Sequence, residues 1–212
     1  MSHVDQFESA FRSAIRPTYK PHAIRLQRAL LVTDLSKEET KELEHNVQPY
    51  LQGLASKGAT IEWECLTNES FDSTASLLKK VETLAPDLIC TYRNLNTDDW
   101  HYQNSVGSRL DTLINQCTFP VLVIPHPKAN SQGLYPLKTN KTVVAITDHL
   151  TDDHQLIDYS AAFLERPGKL VLVHLEDQPT FDRYLEAISR ITTIDTENAR
   201  QQLATQLLKA PE

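Results

Sequence analysis

Glycine, methionine and cysteine are scarce in this chain: five, one and three among 212 residues. Five glycines leave little scope for a glycine-rich phosphate loop, and no GxxxxGK[ST], GxSxG or HExxH pattern occurs. The cysteines, Cys65, Cys90 and Cys117, have no CxxC spacing. That argues against a disulfide framework and against a zinc site, and each lies in an apolar context that suits a reduced core thiol. Positive charge is not in excess either: 21 Lys and Arg stand against 28 Asp and Glu, a net charge of -7. A broad basic footprint for nucleic acid is therefore missing. No run approaches the roughly 18 apolar residues of a membrane span. The N-terminus, MSHVDQFESAFRSAIR, is polar and of mixed charge, without the apolar core of a signal peptide. Together these absences predict a cytoplasmic protein whose partners include neither nucleic acid nor membrane.

What is present is ordinary globular composition, 40% hydrophobic and 23% charged, enough for one large domain or two small ones. Phe7, Phe11 and Ile15 recur at i, i+4, i+8, which predicts a short amphipathic helix over residues 5–16, stopped by Pro17. A connector with two prolines leads to Arg28–Thr33 (RALLVT), an apolar run of the kind buried on both faces in a parallel sheet. Ser36 and Glu39 form a capping-box pattern that opens a helix to about Lys57, closed by Gly58. Thr60–Leu66 alternates as a strand with one wetter face. Ser70 or Asp72 is placed to cap a helix that Pro86 ends. Asp87–Tyr92 reads as a buried strand, Ser105–Gln116 as a helix and Phe119–Ile124 as a last strand. The order β-α-β-α-β-α-β over residues 28–125 implies a parallel sheet with helices on its faces.

After a polar, proline-bearing linker the pattern restarts. Thr142–Thr147 ends at Asp148 and echoes the first strand, "VTD" and "ITD" at an offset of 114. A helix is expected to Arg166, a strand over Lys169–His174, and helices at about 180–190 and 195–209. Two strands alone make a poor sheet. They are expected to join the first sheet, to be completed by a second chain, or to belong to a longer protein, the third being the preferred reading.

The first unit resembles a universal stress protein domain. The resemblance rests on LLVTD ending at Asp34, on the strand Pro86–Cys90 (PDLIC), and on Gly107–Ser108 placed thirteen residues before Pro120 of PVLVI. ITD at Asp148 and LVLVH at Leu170–His174 resemble the family's first two strands. The likeness covers most of residues 28–209 and implies an α/β fold of the adenine-nucleotide α-hydrolase kind: one complete unit plus a partial second. The corresponding divisions are 1–27 (helix and connector), 28–126 (first domain), 127–141 (linker) and 142–212 (incomplete repeat). The first unit carries four strands where the family has five.

The resemblance also implies a ligand site. Nucleotide-binding members carry G-x2-G-x9-G-[ST], whose glycines let backbone approach phosphates at a helix N-terminus. Aligned on Gly107–Ser108, the first two glycine positions fall on Asn94 and Thr97, with Asp98 and Asp99 between Thr97 and Gly107. The candidate ligand-binding residues are thus Asp34, Asn94, Thr97, Ser105, Gly107 and Ser108, for ATP or AMP. Read without the resemblance, Ser105 is an N-cap, Gly107 a tight packing point and Asp34 a helix cap. Asp148, His149, Asp152, Asp153 and His154 form an Asp/His cluster, but its spacing fits a helix start better than a metal site. Arg93, Trp100, His101 and Tyr102 could stack on a base or cover the end of the sheet. No residue is nominated as catalytic and none as a metal ligand. The sequence therefore predicts a non-enzymatic binding protein of the stress response with a degenerate nucleotide site; the alternative is an ATP- or AMP-binding protein with slow or no hydrolysis. A metal-dependent enzyme using Asp148 and His154 is a third reading. Since family members pair through the last strand, self-association through Val121–Ile124 is also expected, alongside an unidentified protein partner.

Overall fold

The computed structural model describes residues 19–56, 58–102, 104–129, 137, 140–147 and 154–175, together with positions 179, 182, 183, 186, 190 and 201. The predicted helix at 5–16 lies outside these residues, as does most of the two predicted after His174. The chain divides into two compact units, one built from Ile24–Thr139, the other from Met1–Ala23 with Asn140–Glu212.

The first unit holds β1 (Arg28–Val32), α1 (Lys37–Gln52), β2 (Glu62–Leu66), α2 (Thr74–Leu84), β3 (Leu88–Thr91), α3 (Ser108–Gln116) and β4 (Val121–Val123). Its four strands are all parallel and ordered β2-β1-β3-β4. The two central strands are the most apolar: Ala29–Val32 and all of Leu88–Thr91 are buried, as a sheet covered on both faces requires. α1 turns Leu43, Val47 and Leu51 inward, α2 Leu77 and Val81, α3 Leu110 and Leu113. Each fully buried aliphatic side chain contributes about 1.5–3 kcal/mol relative to exposure. At the amino end of the sheet, Asp87 Oδ2 accepts the amides of Gln27 at 2.7 Å and Arg28 at 2.9 Å, which ties the start of β1 to that of β3.

The capping box at Ser36 and Glu39 is present. The helix it opens ends at Gln52 rather than Lys57. The carbonyl of Leu54 accepts the amide of Leu26 at 3.0 Å, and Ala55 bridges to Leu26, so this backbone is engaged outside the helix. The cap of α2 is Ser73, paired with Ser76, in place of Ser70 or Asp72. α3 begins at Ser108 because Gly107, at φ 80° and ψ 146°, is not helical.

The second unit contains β5 (Asn140–Thr147), α4 (His154–Ala162) and β6 (Leu164–His174). β5 and β6 form a separate parallel pair and do not extend the first sheet. The helix stops earlier and β6 starts earlier than the sequence predicted. Register passes from Asn140↔Leu164 to Thr142↔Lys169, so Pro167 falls in a bulge where no ladder bond needs its missing N–H. Tyr19 and His22, read from sequence as connector, hydrogen-bond Asp158 of α4 within this same unit.

Candidate functional site

In the order β2-β1-β3-β4, the chain leaves β1 towards one side and returns to its other side as β3. This makes a switch point at the carboxyl ends of β1 and β3, where open α/β sheets bind ligands. Thr33 and Asp34 follow β1 there; Tyr92 follows β3. Tyr92 is fully buried, and its hydroxyl lies 2.6 Å from Thr33 Oγ1. It accepts the Asp34 amide at 3.1 Å and donates to Asp34 Oδ1. The other carboxylate oxygen, Oδ2, accepts the Asn96 amide at 2.6 Å. Both oxygens of Asp34 are therefore engaged by the protein. Ser36, and not Asp34, caps α1.

The loop after β3 is folded around Asn94, which is wholly buried. Its Nδ2 donates to the carbonyls of Asp99 (3.0 Å) and Ser105 (3.2 Å), while its Oδ1 accepts from Ser105 Oγ at 2.9 Å. Its amide donates to Val106 and its carbonyl accepts from Thr97, at 2.9 and 3.2 Å. Asn94 and Asn96 both take left-handed backbone, φ 59° and 62°, which asparagine tolerates better than most residues. Gly107 lies directly against Asn94: a Cβ on it would stand 2.8 Å from Asn94 Cα. A further link crosses from the turn after β2, where Asn68 Oδ1 accepts from the Asn96 carboxamide.

His126 closes the group from β4. It is buried, its ring stands edge-on to Tyr92 with centroids 4.9 Å apart, and its Nδ1 accepts the Lys128 amide at 3.1 Å. Burial lowers its pKa; the Asp34 charge pulls the other way, and Lys128 and Arg93 add to the lowering. Burial also pushes the Tyr92 hydroxyl well above its ordinary value of 10, assisted by the hydrogen bond to Asp34.

Of the six residues picked from sequence, Asn94, Ser105 and Gly107 are in direct contact, and Thr97 is hydrogen-bonded to the Asn94 backbone. Asp34 is tied to this loop through Asn96 and Tyr92. Ser108 opens α3 with an exposed side chain. Ser105 is not a helix cap; its hydroxyl is engaged by Asn94. Four residues the sequence reading did not single out, Thr33, Tyr92, Asn96 and His126, complete the cluster. Thr33, Tyr92 and His126 follow closely on apolar strands, the one sequence signal that could have nominated them.

The arrangement does not fit a triphosphate cradle. The Asn94 carboxamide, with both its donors and its acceptor engaged, occupies the interior of the loop, and both oxygens of Asp34 have partners. Of the Asp/His cluster only His154 is among the described residues; it starts α4, with its ring edge-on to Tyr19 at 5.6 Å. No group of three or more His, Cys, Asp or Glu that could hold a metal occurs among the described residues. Arg93 Nη1 reaches the Ser105 carbonyl at 3.4 Å. Tyr102 is 59% exposed, with its ring beside that of His101 at 4.3 Å. Compared with protein-family models, curated proteins and solved structures, the chain matches none.

Proposed function

We propose that this chain is a universal stress protein-like regulatory binding protein of the cytoplasm, non-enzymatic, acting through a protein partner rather than through a nucleotide. The observation that carries the reading is Asn94. It stands where the family's first loop glycine is expected, it takes the left-handed backbone a glycine would supply, and its side chain fills the loop. A loop closed by its own side chain holds a fixed shape without ligand, as a protein-recognition surface does. In support, no helix among the described residues is long and apolar enough to cross a membrane.

The test is thermal unfolding of the full chain with and without millimolar ATP-Mg or AMP. The melting temperature is expected to move by less than a degree. A rise of several degrees would mean that nucleotide binds the folded state, and the ATP- or AMP-binding reading would replace this one.

Self-association through β4 belongs to the same proposal. β4 is at the edge of its sheet and Val123 is 42% exposed, so its unpaired backbone can accept another strand. A homodimer is expected by light scattering at micromolar concentration; a monomer there would remove this part of the reading.

A further inference from the structure

His126 is the last buried side chain where the chain leaves β4. The residues that follow it, Pro127–Ala129, form a single 3-10 turn in which none is buried. Two hydrogen bonds hold that turn, and both end on His126. Its carbonyl accepts the Ala129 amide at 2.9 Å, and its ring Nδ1 accepts the Lys128 amide at 3.1 Å. The chain just before it is fixed to the sheet, since the Ile124 amide donates to the Thr91 carbonyl at 2.8 Å. An imidazole that accepts at Nδ1 is neutral, with its proton on Nε2. A second proton, on Nδ1, sets one N–H against another, so the charged ring and the turn as built exclude each other.

The surroundings do not favour the charged ring either. Burial opposes the charge most strongly. Asp34, at the end of β1, favours it, while Lys128 in the turn and Arg93 in the loop after β3 oppose it. The Asp34 carboxylate already takes the Tyr92 hydroxyl on one oxygen and the Asn96 amide on the other. Glu39, in the first turn of α1, interacts with the charge of Lys128. Tyr92 offers only an uncharged ring, packed against the imidazole with centroids 4.9 Å apart.

We propose that His126 is an acid-sensitive latch on the carboxyl end of the first sheet: a proton on Nδ1 drives its ring into water and opens the turn Pro127–Ala129, uncovering Tyr92 while the sheet stays folded. The closed form holds above the ordinary histidine value of 6.5 and gives way as pH falls through the lowered one. This end of the sheet then has two forms selected by one proton, whatever binds there.

The test follows the full chain by NMR. His126 is titrated to find its midpoint, and the protein is compared at pH 7.5 and one unit below that midpoint, where about nine rings in ten are charged. Nuclear Overhauser contacts between the His126 and Tyr92 rings are expected at pH 7.5 and should vanish at the lower pH. Exchange of the Lys128 amide, corrected for its intrinsic pH dependence, should quicken by about tenfold. The Ile89 amide, bonded to the Pro120 carbonyl at 2.9 Å inside the sheet, should keep its protection. Ring contacts that persist with His126 charged, or unchanged Lys128 exchange, would overturn the proposal. So would loss of Ile89 protection in step with Lys128, which is acid unfolding and not a latch. His126→Asn keeps an acceptor near the place of Nδ1 and has no proton to gain, so its Lys128 amide should exchange alike at both pH values. A change as large as in the natural protein would also overturn the proposal, by placing the switch on another group.

Discussion

Replacing Tyr92 with phenylalanine tests whether the carboxyl ends of β1 and β3 are joined as described. The ring stays, so packing against His126 is kept; only the hydroxyl is lost. That oxygen contacts Thr33 Oγ1 at 2.6 Å, accepts from the Asp34 amide at 3.1 Å and donates to the Asp34 carboxylate. Thr33 keeps the Leu35 amide as a partner, and Asp34 Oδ2 keeps Asn96. A neutral hydrogen bond contributes about 1 kcal/mol and one to a charged group about 1.5–3, so the loss should be about 3 kcal/mol. Both tryptophans, Trp63 and Trp100, lie in the first unit, so their fluorescence follows its unfolding. With a urea slope near 1.5 kcal/mol/M, the midpoint should fall by about 2 M. A shift below about 0.3 M, equivalent to about 0.5 kcal/mol, would refute the argument. Alkali offers an independent arm. The Tyr92 pKa is raised by folding, so its contribution is present below pH 10 and lost as pH rises beyond it, where the unfolded chain ionises first. Tyr92→Phe should flatten that part of the stability curve.

Gly107→Ala should destabilise the first unit by about 2–3 kcal/mol, from left-handed strain and a backbone clash with Asn94; a loss under half a kilocalorie in the same urea assay would contradict the close approach. The His126 pKa is lowered from 6.5 by folding, so its contribution is present above pH 6.5 and is lost as pH falls through the lowered value. His126→Phe should therefore lose less stability between pH 7.5 and pH 5 than the natural protein, and equal losses would show that the group does not titrate as argued. Burial pushes the thiols of Cys90 and Cys65 up to about 12, with Glu44 contributing at Cys65. At pH 8 both should resist iodoacetamide in the folded protein and react in urea, as peptide mapping would show; rapid native alkylation of Cys90 would contradict its burial.

Much of the first unit's fold is legible in sequence because its signals are local. The apolar runs ALLV and LICT declare central strands, and Ser36 with Glu39 declares a helix start. Boundaries moved wherever a partner distant in sequence took over the backbone. Leu26 took the carbonyl of Leu54, and the Asn140 register shift admitted Pro167 into β6. The candidate site was legible only in part. The motif implied by the resemblance, counted back from Gly107, pointed to Asn94 and Thr97, but whether Asn94 leaves the loop open or fills it depends on where its carboxamide points.

Composition and order alone determined an α/β chain with a parallel sheet, and charge and glycine content narrowed the ligands worth considering. Those properties follow from propensity and periodicity, which act over a few residues. Tertiary structure decided that Tyr92, Thr33 and Asp34 meet at the switch point, that Asn96 and His126 join them, and that Asp158 draws the N-terminal chain onto the second unit. These are contacts across 34 or more residues, set by strand order and loop path, and no short-range pattern in the chain encodes them.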